Sequence, residues 1–387
     1  MTSPSLLDCF AAVAPGLEQL ALADARTLGL PVGLAEGGGG IAWKGDLHSV
    51  LLANVGLRIS SRVVVRLAVF EARSFAELER HARQVPWARV VQAGDAVRFR
   101  VTCKKSRLYH SDAVAQRLAD AVTRAIPGGV HAEGASGAAD DSPSDDDAQI
   151  FVVRMLRDRC TVSADASGAL LHRRGYRQAT AKAPLRETLA AALLSVSGWD
   201  GTSPLVDPLC GSGTIPIEAA LIARNVAPGA ARQFAVERWP GVPATLGAQV
   251  RSELAERERT SPLPAIVGSD RDAGAITAAT ANAERAGVLG DIAFAVRALS
   301  AAEFPASARG WVVANPPYGV RVGDAEDVRD LWARLGQVLH ERARGWRVAL
   351  LSPDPGLERQ LRLPLQPVAQ TTNGGIPIRL VVGDVPE

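Results

Sequence analysis

Hydrophobic spacing divides the chain into two halves with different rhythms. In the first half, residues 15–30 place Leu17, Leu20, Leu22, Ala25 and Leu28 at helical intervals and stop at Gly29, which predicts a helix. Residues 37–40 are four glycines and predict a flexible turn. A short strand follows at 41–44, and Asp46 is placed to cap a helix over 47–55. Further strands are predicted at 62–69 and 96–103 and helices at 75–84 and 111–126, the last helped at its N-terminus by Asp112. Two adjacent apolar runs, 150–156 and 159–164, predict a hairpin. These small mixed layers make the first half α+β.

The second half is more regular. A helix at 184–196 precedes strands at 205–207, 265–270, 292–296, 311–314 and 347–352. Helices at 214–225, 273–286 and 327–344 fall between them. Such β-α alternation predicts a parallel sheet wrapped by helices on both faces. Residues 368–372 and 376–382, around Asn373-Gly374, predict a closing hairpin with Asn-Gly turn chemistry. No internal repeat stands out.

Composition narrows the picture. At roughly 150 residues per domain, 387 residues predict two or three domains. A hydrophobic fraction of 47% excludes a mainly disordered chain. The 43 basic and 41 acidic residues leave a net charge of +2, so any binding to nucleic acid needs a local patch. One such patch is residues 61–110, with 11 Lys/Arg against 4 Asp/Glu. Residues 131–149 are the opposite, with six acids, no Lys or Arg and much Gly, Ala and Ser, and are read as a mobile surface loop. Cys9, Cys103, Cys160 and Cys210 lie far apart, which argues against a zinc site or a disulfide framework and for a reducing cytosol. No signal peptide, transmembrane helix or metal site is expected, and none of the six scattered histidines is read as a base.

The strongest chemical signal is Asp207-Pro208-Leu209-Cys210-Gly211-Ser212-Gly213-Thr214, where a strand turns into a helix. Gly211 and Gly213 lack side chains that would keep a ligand from the backbone, and the helix N-terminus offers free N–H groups. A tight turn without a ligand is the competing reading. No Lys follows Gly213, so the loop is not a phosphate-binding P-loop. Pro216 stands where a dinucleotide fingerprint needs a small residue. An acid at Asp207 repels a pyrophosphate but suits a cationic ligand such as the sulfonium and ammonium of S-adenosylmethionine. Asp270, ending Val267-Gly268-Ser269-Asp270, is suited to both ribose hydroxyls of a nucleoside cofactor. Its alternative use is as a helix cap, for which Asp272 competes. Cys210 is read as a packing and backbone contact rather than a nucleophile.

The third element is Asn315-Pro316-Pro317-Tyr318-Gly319, after the fourth strand of this half. The Asn315 amide oxygen and the Pro316 carbonyl are acceptors for the two hydrogens of a planar amine, and the Tyr318 ring can stack on the base that carries it. Pulling on both hydrogens localises a lone pair otherwise delocalised into the ring. Orientation and electrostatics then suffice, with no strong base.

Taken in order, D-P-x-C-G-S-G-T, G-S-D and N-P-P-Y-G resemble class I S-adenosylmethionine-dependent methyltransferases acting on amino groups. Leu171-His172-Arg173-Arg174-Gly175-Tyr176-Arg177, then Pro184-Leu185-Arg186-Glu187-Thr188-Leu189-Ala190-Ala191, is similar to the linker of THUMP-domain RNA guanine-N2 methyltransferases acting on 23S rRNA or tRNA. Ser106-Arg107-Leu108-Tyr109-His110 resembles their THUMP region. The resemblance is strong over 170–320 and looser before it. It implies a ferredoxin-like segment at 1–60, a THUMP RNA-binding domain at 61–170 and a Rossmann-like catalytic domain at 171–387. It implies cofactor contacts at Asp207, Cys210, Gly211, Gly213 and Asp270, and target-base contacts at Asn315, Pro316, Pro317 and Tyr318. Arg297 stands where the family usually has an acid near the adenine. The second methyltransferase of some fused members is not expected in this chain. Candidate RNA contacts are Lys104, Lys105, Arg107 and Tyr109, with Arg173 and Arg174 gripping RNA or pinning domains together. The expected function is methylation of a guanine N2 amine in structured RNA. The alternatives are an adenine-N6 methyltransferase and an inactive RNA-binding or assembly factor.

Overall fold

The computed structural model describes residues 6–136, 148–178, 185–307, 309–318 and 325–387. The chain forms two compact units. The first takes residues 1–13, 25–171 and 232–252, and the second takes 14–24, 172–231 and 253–387.

The first unit is built on one eight-stranded sheet. Its strands are β1 (Leu7–Ala12), β2 (Gly33–Leu34), β3 (Gly40–Gly45), β4 (Arg62–Glu71), β5 (Ala96–Lys104), β6 (His131–Ser136), β7 (Gln149–Leu156) and β8 (Arg159–Asp165). Their spatial order is β2-β3-β1-β4-β8-β7-β5-β6. Helix α1 (Glu18–Thr27) has residues in both units; α2 (Leu47–Gly56), α3 (Phe75–Ala82) and α4 (Ser111–Ala125) belong to the first. The predicted cap is present, with Asp46 Oδ1 accepting from the Ser49 N–H at 2.8 Å. Trp87, Phe99 and Phe151 form the aromatic centre of this unit. Phe99 stacks on Phe151 at 5.1 Å, and Trp87 meets Phe151 edge-on at 5.0 Å.

One expectation needs correcting here. The segment read as a loop from 131 contains β6, paired in parallel with β5 from His131 opposite Ala96. An edge strand pairs through backbone groups, so a Gly- and Ala-rich stretch joins a sheet without apolar side chains. Residues 137–147 of that segment lie outside the described residues. The sheet is continuous across residue 60: β4 pairs with β1 on one side and β8 on the other.

The second unit carries a seven-stranded sheet of β9 (Leu205–Asp207), β10 (Ile266–Asp270), β11 (Ile292–Val296), β12 (Trp311–Ala314), β13 (Arg347–Ser352), β14 (Gln366–Asn373) and β15 (Ile376–Asp384). The order is β11-β10-β9-β12-β13-β15-β14. Strands β9 to β13 run parallel as expected, and β15 and β14 are antiparallel additions. Helices α5 (Glu187–Ser197), α6 (Thr214–Arg224), α8 (Ala273–Arg285), α9 (Ala325–Arg342) and α10 (Pro355–Gln360) accompany them, and α7 (Leu246–Ala255) lies mostly in the first unit. Pro184, the predicted start of α5, is outside the described residues. One core joins Val206, Val312, Val348 and Val381 of the sheet to Trp332, Leu335 and Leu339 of α9. Short elements such as β1, β2, α7 and α10 carry too little periodicity to be read from the chain.

The closing hairpin is present, but its turn is Gly374-Gly375, with φ of +58° and +84°. Asn373 instead ends β14, opposite Ile376. Two glycines accept the left-handed conformation that a two-residue turn demands more readily than Asn-Gly does.

Candidate active site

Strand order places the chemistry. The chain passes from β9 outward through β10 and β11, then returns to β12 on the other side of β9. Such a reversal opens a crevice at the carboxyl ends of the strands. Asp270, Asp207 and Asn315 end or follow the three adjacent strands β10, β9 and β12.

The loop after β9 is tied down by backbone. Asp207 is buried and its Oδ1 accepts from the Leu209 N–H at 3.1 Å. Burial pushes its carboxyl well above the usual aspartate range, and the nearby Asp270 adds to the rise against the Leu209 hydrogen bond. The Cys210 N–H donates to the Ser269 carbonyl at 3.0 Å. Burial raises the Cys210 thiol, the reverse of what a nucleophile needs.

Asp270 joins two loops. Its Oδ2 accepts from the Gly211 N–H at 3.0 Å and its Oδ1 from the Asp272 N–H at 3.0 Å. Asp272, not Asp270, caps α8, with Oδ1 accepting from Gly274 at 2.8 Å. Each Asp270 oxygen therefore keeps acceptor capacity for a ligand.

The two loop glycines do different work. Apart from its own chain neighbours, no atom of the described residues lies within 4 Å of where a Gly211 Cβ would stand, so a ligand can approach there. A Cβ on Gly213, at φ +80°, would come 2.9 Å from Ala279 Cβ and 3.1 Å from Phe294 Cζ. Gly213 is thus required for packing against α8 and β11.

A buried polar floor supports the start of α6. Arg177 pairs with Glu187 at 3.3 Å and donates to Thr214 Oγ1 at 3.0 Å. Glu218 accepts from the Tyr176 hydroxyl at 3.2 Å and pairs with Arg174 at 3.5 Å. Burial lifts the Glu187 carboxyl to about 7, opposed by Arg177. Arg174 is only 4% exposed, so its guanidinium braces α6 and is not available to grip RNA; Arg173 is half-buried.

After β12, Asn315 Oδ1 is a buried acceptor with no hydrogen-bond partner among the described residues. The Pro317 carbonyl accepts from Trp332 Nε1 at 3.2 Å. The Tyr318 hydroxyl accepts from Asn373 Nδ2 at 2.8 Å, and burial raises its phenol. Gly319 lies outside the described residues. Trp332 and Asn373 were not found from sequence; Trp332 reads as an ordinary core position and Asn373 as turn chemistry. Arg297, in place of the expected adenine-side acid, is ion-paired with Glu303. Among the described residues no group of His, Cys, Asp and Glu is arranged to hold a metal.

In the first unit, Lys104 ends β5 and Lys105, Arg107 and Tyr109 follow it, all four exposed. The Arg107 N–H donates to Asp158 Oδ1 at 2.7 Å and the Arg157 N–H to the Lys104 carbonyl at 3.2 Å. The β7–β8 turn therefore adds the exposed Arg157 to this basic edge, which sequence distance had hidden. Tyr109 is 68% exposed, its ring 4.0 Å from that of His110. No helix among the described residues is long and apolar enough to cross a membrane.

Comparison with known proteins agrees with this geometry. The profile of the RMKL-like methyltransferase domain matches residues 174–380, and that of the RlmL ferredoxin-like domain matches residues 8–64. The chain is 32% identical over 375 residues to "Putative RNA methyltransferase slr0064" of Synechocystis sp., covering 96% of this chain and 95% of that protein. It is 32% identical over 391 residues to the ribosomal RNA large subunit methyltransferase K/L of Syntrophotalea carbinolica, covering 98% of this chain and 53% of the relative. The chain thus spans about half the length of that relative. Among solved structures it is similar to "SMU.472, a putative methyltransferase complexed with SAH", with a TM-score of 0.85, 27% identity and full coverage of both chains. The fold is Rossmann-like in the second unit and ferredoxin-like at the N-terminus.

Proposed function

Because the chain belongs to the RMKL-like methyltransferase family, we propose that it transfers a methyl group from S-adenosylmethionine to the exocyclic N2 amine of a guanine in structured RNA. The observation that carries this reading is Asn315 Oδ1, a buried acceptor without a partner among the described residues, following the strand next to the Asp207 loop. An unpaired buried oxygen is costly unless a ligand hydrogen satisfies it.

The residues beside it fit the cofactor. Gly211 leaves open space, Asp270 retains acceptor capacity for ribose hydroxyls, and Asp207 offers a carboxylate for a cationic methionine end. S-adenosylmethionine supplies an electrophilic methyl group on its sulfonium. Asn315 Oδ1 and the Pro316 carbonyl accept the two amine hydrogens and localise the nitrogen lone pair. They would also stabilise the positive charge that develops on that nitrogen; the C–S bond breaks to leave S-adenosylhomocysteine, and the acidified N–H proton passes to solvent after transfer, so no general base is needed. The Tyr318 ring stacks on the base and fixes its plane.

Residues 61–170 act, in this proposal, as the THUMP module. Lys104, Lys105, Arg107 and Arg157 contact phosphates and Tyr109 stacks on an unpaired base. Large-subunit ribosomal RNA is the first substrate to try, given the name of the K/L relative. The work is placed in the cytosol, where the four free cysteines stay reduced.

The test is incubation of the full chain with labelled cofactor and total RNA from a strain lacking the gene, followed by nucleoside digestion. Label in N2-methylguanosine supports the proposal. Label in N6-methyladenosine moves the target base. RNA binding without any transfer favours an inactive assembly factor.

A further inference from the structure

Asn373 has no local reason to be asparagine. It ends β14, where asparagine is disfavoured, and the adjoining turn is made by Gly374 and Gly375. Its own φ is not positive, so the backbone does not call for it either. What its side chain does is reach Tyr318, 55 positions away in sequence, and donate to the phenol oxygen at 2.8 Å.

A tyrosine ring swings about two side-chain torsions. The hydroxyl oxygen lies on the axis of the second, so holding it restrains the first, which sets where the ring stands. The holder is itself fixed: β14 pairs with β15 from Asn373 to Gln366, and β15 pairs with β13 in the middle of the sheet. Tyr318 follows directly on Pro316 and Pro317, and Trp332 holds the Pro317 carbonyl at 3.2 Å. The backbone is thereby held from α9 and the ring tip from the hairpin.

We infer that Asn373 is a positioning residue for the target base, fixing where the Tyr318 ring stands beside the Asn315 acceptor through its hydrogen bond to the phenol. The inference rests on the proposed amine methylation and adds to it the C-terminal hairpin as a working part of the base site. In this role Asn373 acts through Tyr318 rather than on the cofactor or the reacting atoms. Its loss leaves cofactor affinity intact and slows transfer by misorienting the bound base.

The test uses single-turnover methyl transfer by the full chain to an RNA that the wild type labels. Asn373→Ala removes the donor. Asn373→Val removes it too but supplies a strong strand former, so a failure of the hairpin is separated from loss of the hydrogen bond. Tyr318→Phe removes the acceptor and keeps the ring. Each variant is expected to slow transfer about 10-fold, and Asn373→Ala combined with Tyr318→Phe no further than either alone, since both delete one interaction. The chain has three tyrosines, so ring-labelled NMR gives a second reading. Either Asn373 variant should shift the Tyr318 signal and leave Tyr109 and Tyr176 in place. Unchanged transfer in both Asn373 variants, or losses that multiply in the double variant, would overturn this inference alone. A wild type inert toward every RNA would overturn the underlying reading and this inference with it.

Discussion

The two sides of the crevice are built differently. On the β9–β10 side the loops are tied to one another, Asp207 with Leu209, Asp270 with Gly211 and Asp272, and Cys210 with the Ser269 carbonyl, while the buried Ser269 hydroxyl has no partner among the described residues. Those partners lie within the neighbouring strands and loops, so the side is rigid before anything binds. On the β12 side the key acceptor, Asn315 Oδ1, has no partner among the described residues. Its surroundings are held from afar, by Trp332 of α9 and Asn373 of β14. A cradle for a tightly held small molecule can be finished in advance. A site that must receive a base from a large RNA keeps its decisive hydrogen bonds unmade until that base arrives.

The largest effect should separate these sides. Asn315→Ala removes the unpaired acceptor and is expected to lower kcat by about two to three orders of magnitude. Asn315→Asp keeps an acceptor in place and should lose far less. Comparable losses in both would mean that the acceptor is not what matters.

The buried floor beneath α6 gives the next effect, in stability. Glu187 has its carboxyl raised to about 7 from an ordinary 4.5. Between those values the folded protein binds more protons than the unfolded chain, so stability falls as pH rises. The contribution is present in full below about pH 4.5 and is lost once pH passes about 7, on the order of 3 kcal/mol. The raised Asp207 works in the same direction while no cation neutralises it. Urea titrations of the cofactor-free protein should therefore show lower stability at pH 8 than at pH 5. Glu187→Gln should flatten that slope; an unaltered slope would show that Glu187 is not its source.

The loop glycines sharpen the contrast further. Gly213→Ala puts a Cβ 2.9 Å from Ala279 in a left-handed conformation, so about 2–3 kcal/mol of stability should be lost. Gly211→Ala meets open space and should cost about 1 kcal/mol from its φ of +51° alone, with its main effect on cofactor affinity. Equal destabilisation by the two would contradict the separate roles given to them.

The smallest effect is expected at Trp332. Trp332→Phe keeps most of the core contact but deletes the donor to the Pro317 carbonyl, costing about 1 kcal/mol and slowing transfer a few-fold. No change in transfer would remove α9 from the account of the base site.

How much of this could be read from the chain follows the same division. Asp207, Gly211 and Asp270 sit in short motifs whose partners are close in sequence or on the adjacent strand, and β-α alternation positions them. Asn315 to Tyr318 were legible as residue types, but their supports were not. Trp332 is 15 positions from Pro317 and Asn373 is 55 from Tyr318, and only the folded sheet brings them together. Arg174 misled for a related reason. An Arg-Arg pair in a polar segment looks like a phosphate grip until Glu218 of α6 is found against it. β6 was missed because an edge strand of small and polar residues has no hydrophobic pattern to announce it.

Calorimetric titration of Asn315→Ala with S-adenosylmethionine tests the division between the two sides most directly. The account predicts a dissociation constant within about twofold of the wild type, because the cofactor cradle is complete without Asn315. Loss of cofactor binding in a folded Asn315→Ala protein would show that the two sides are one site, and would contradict it.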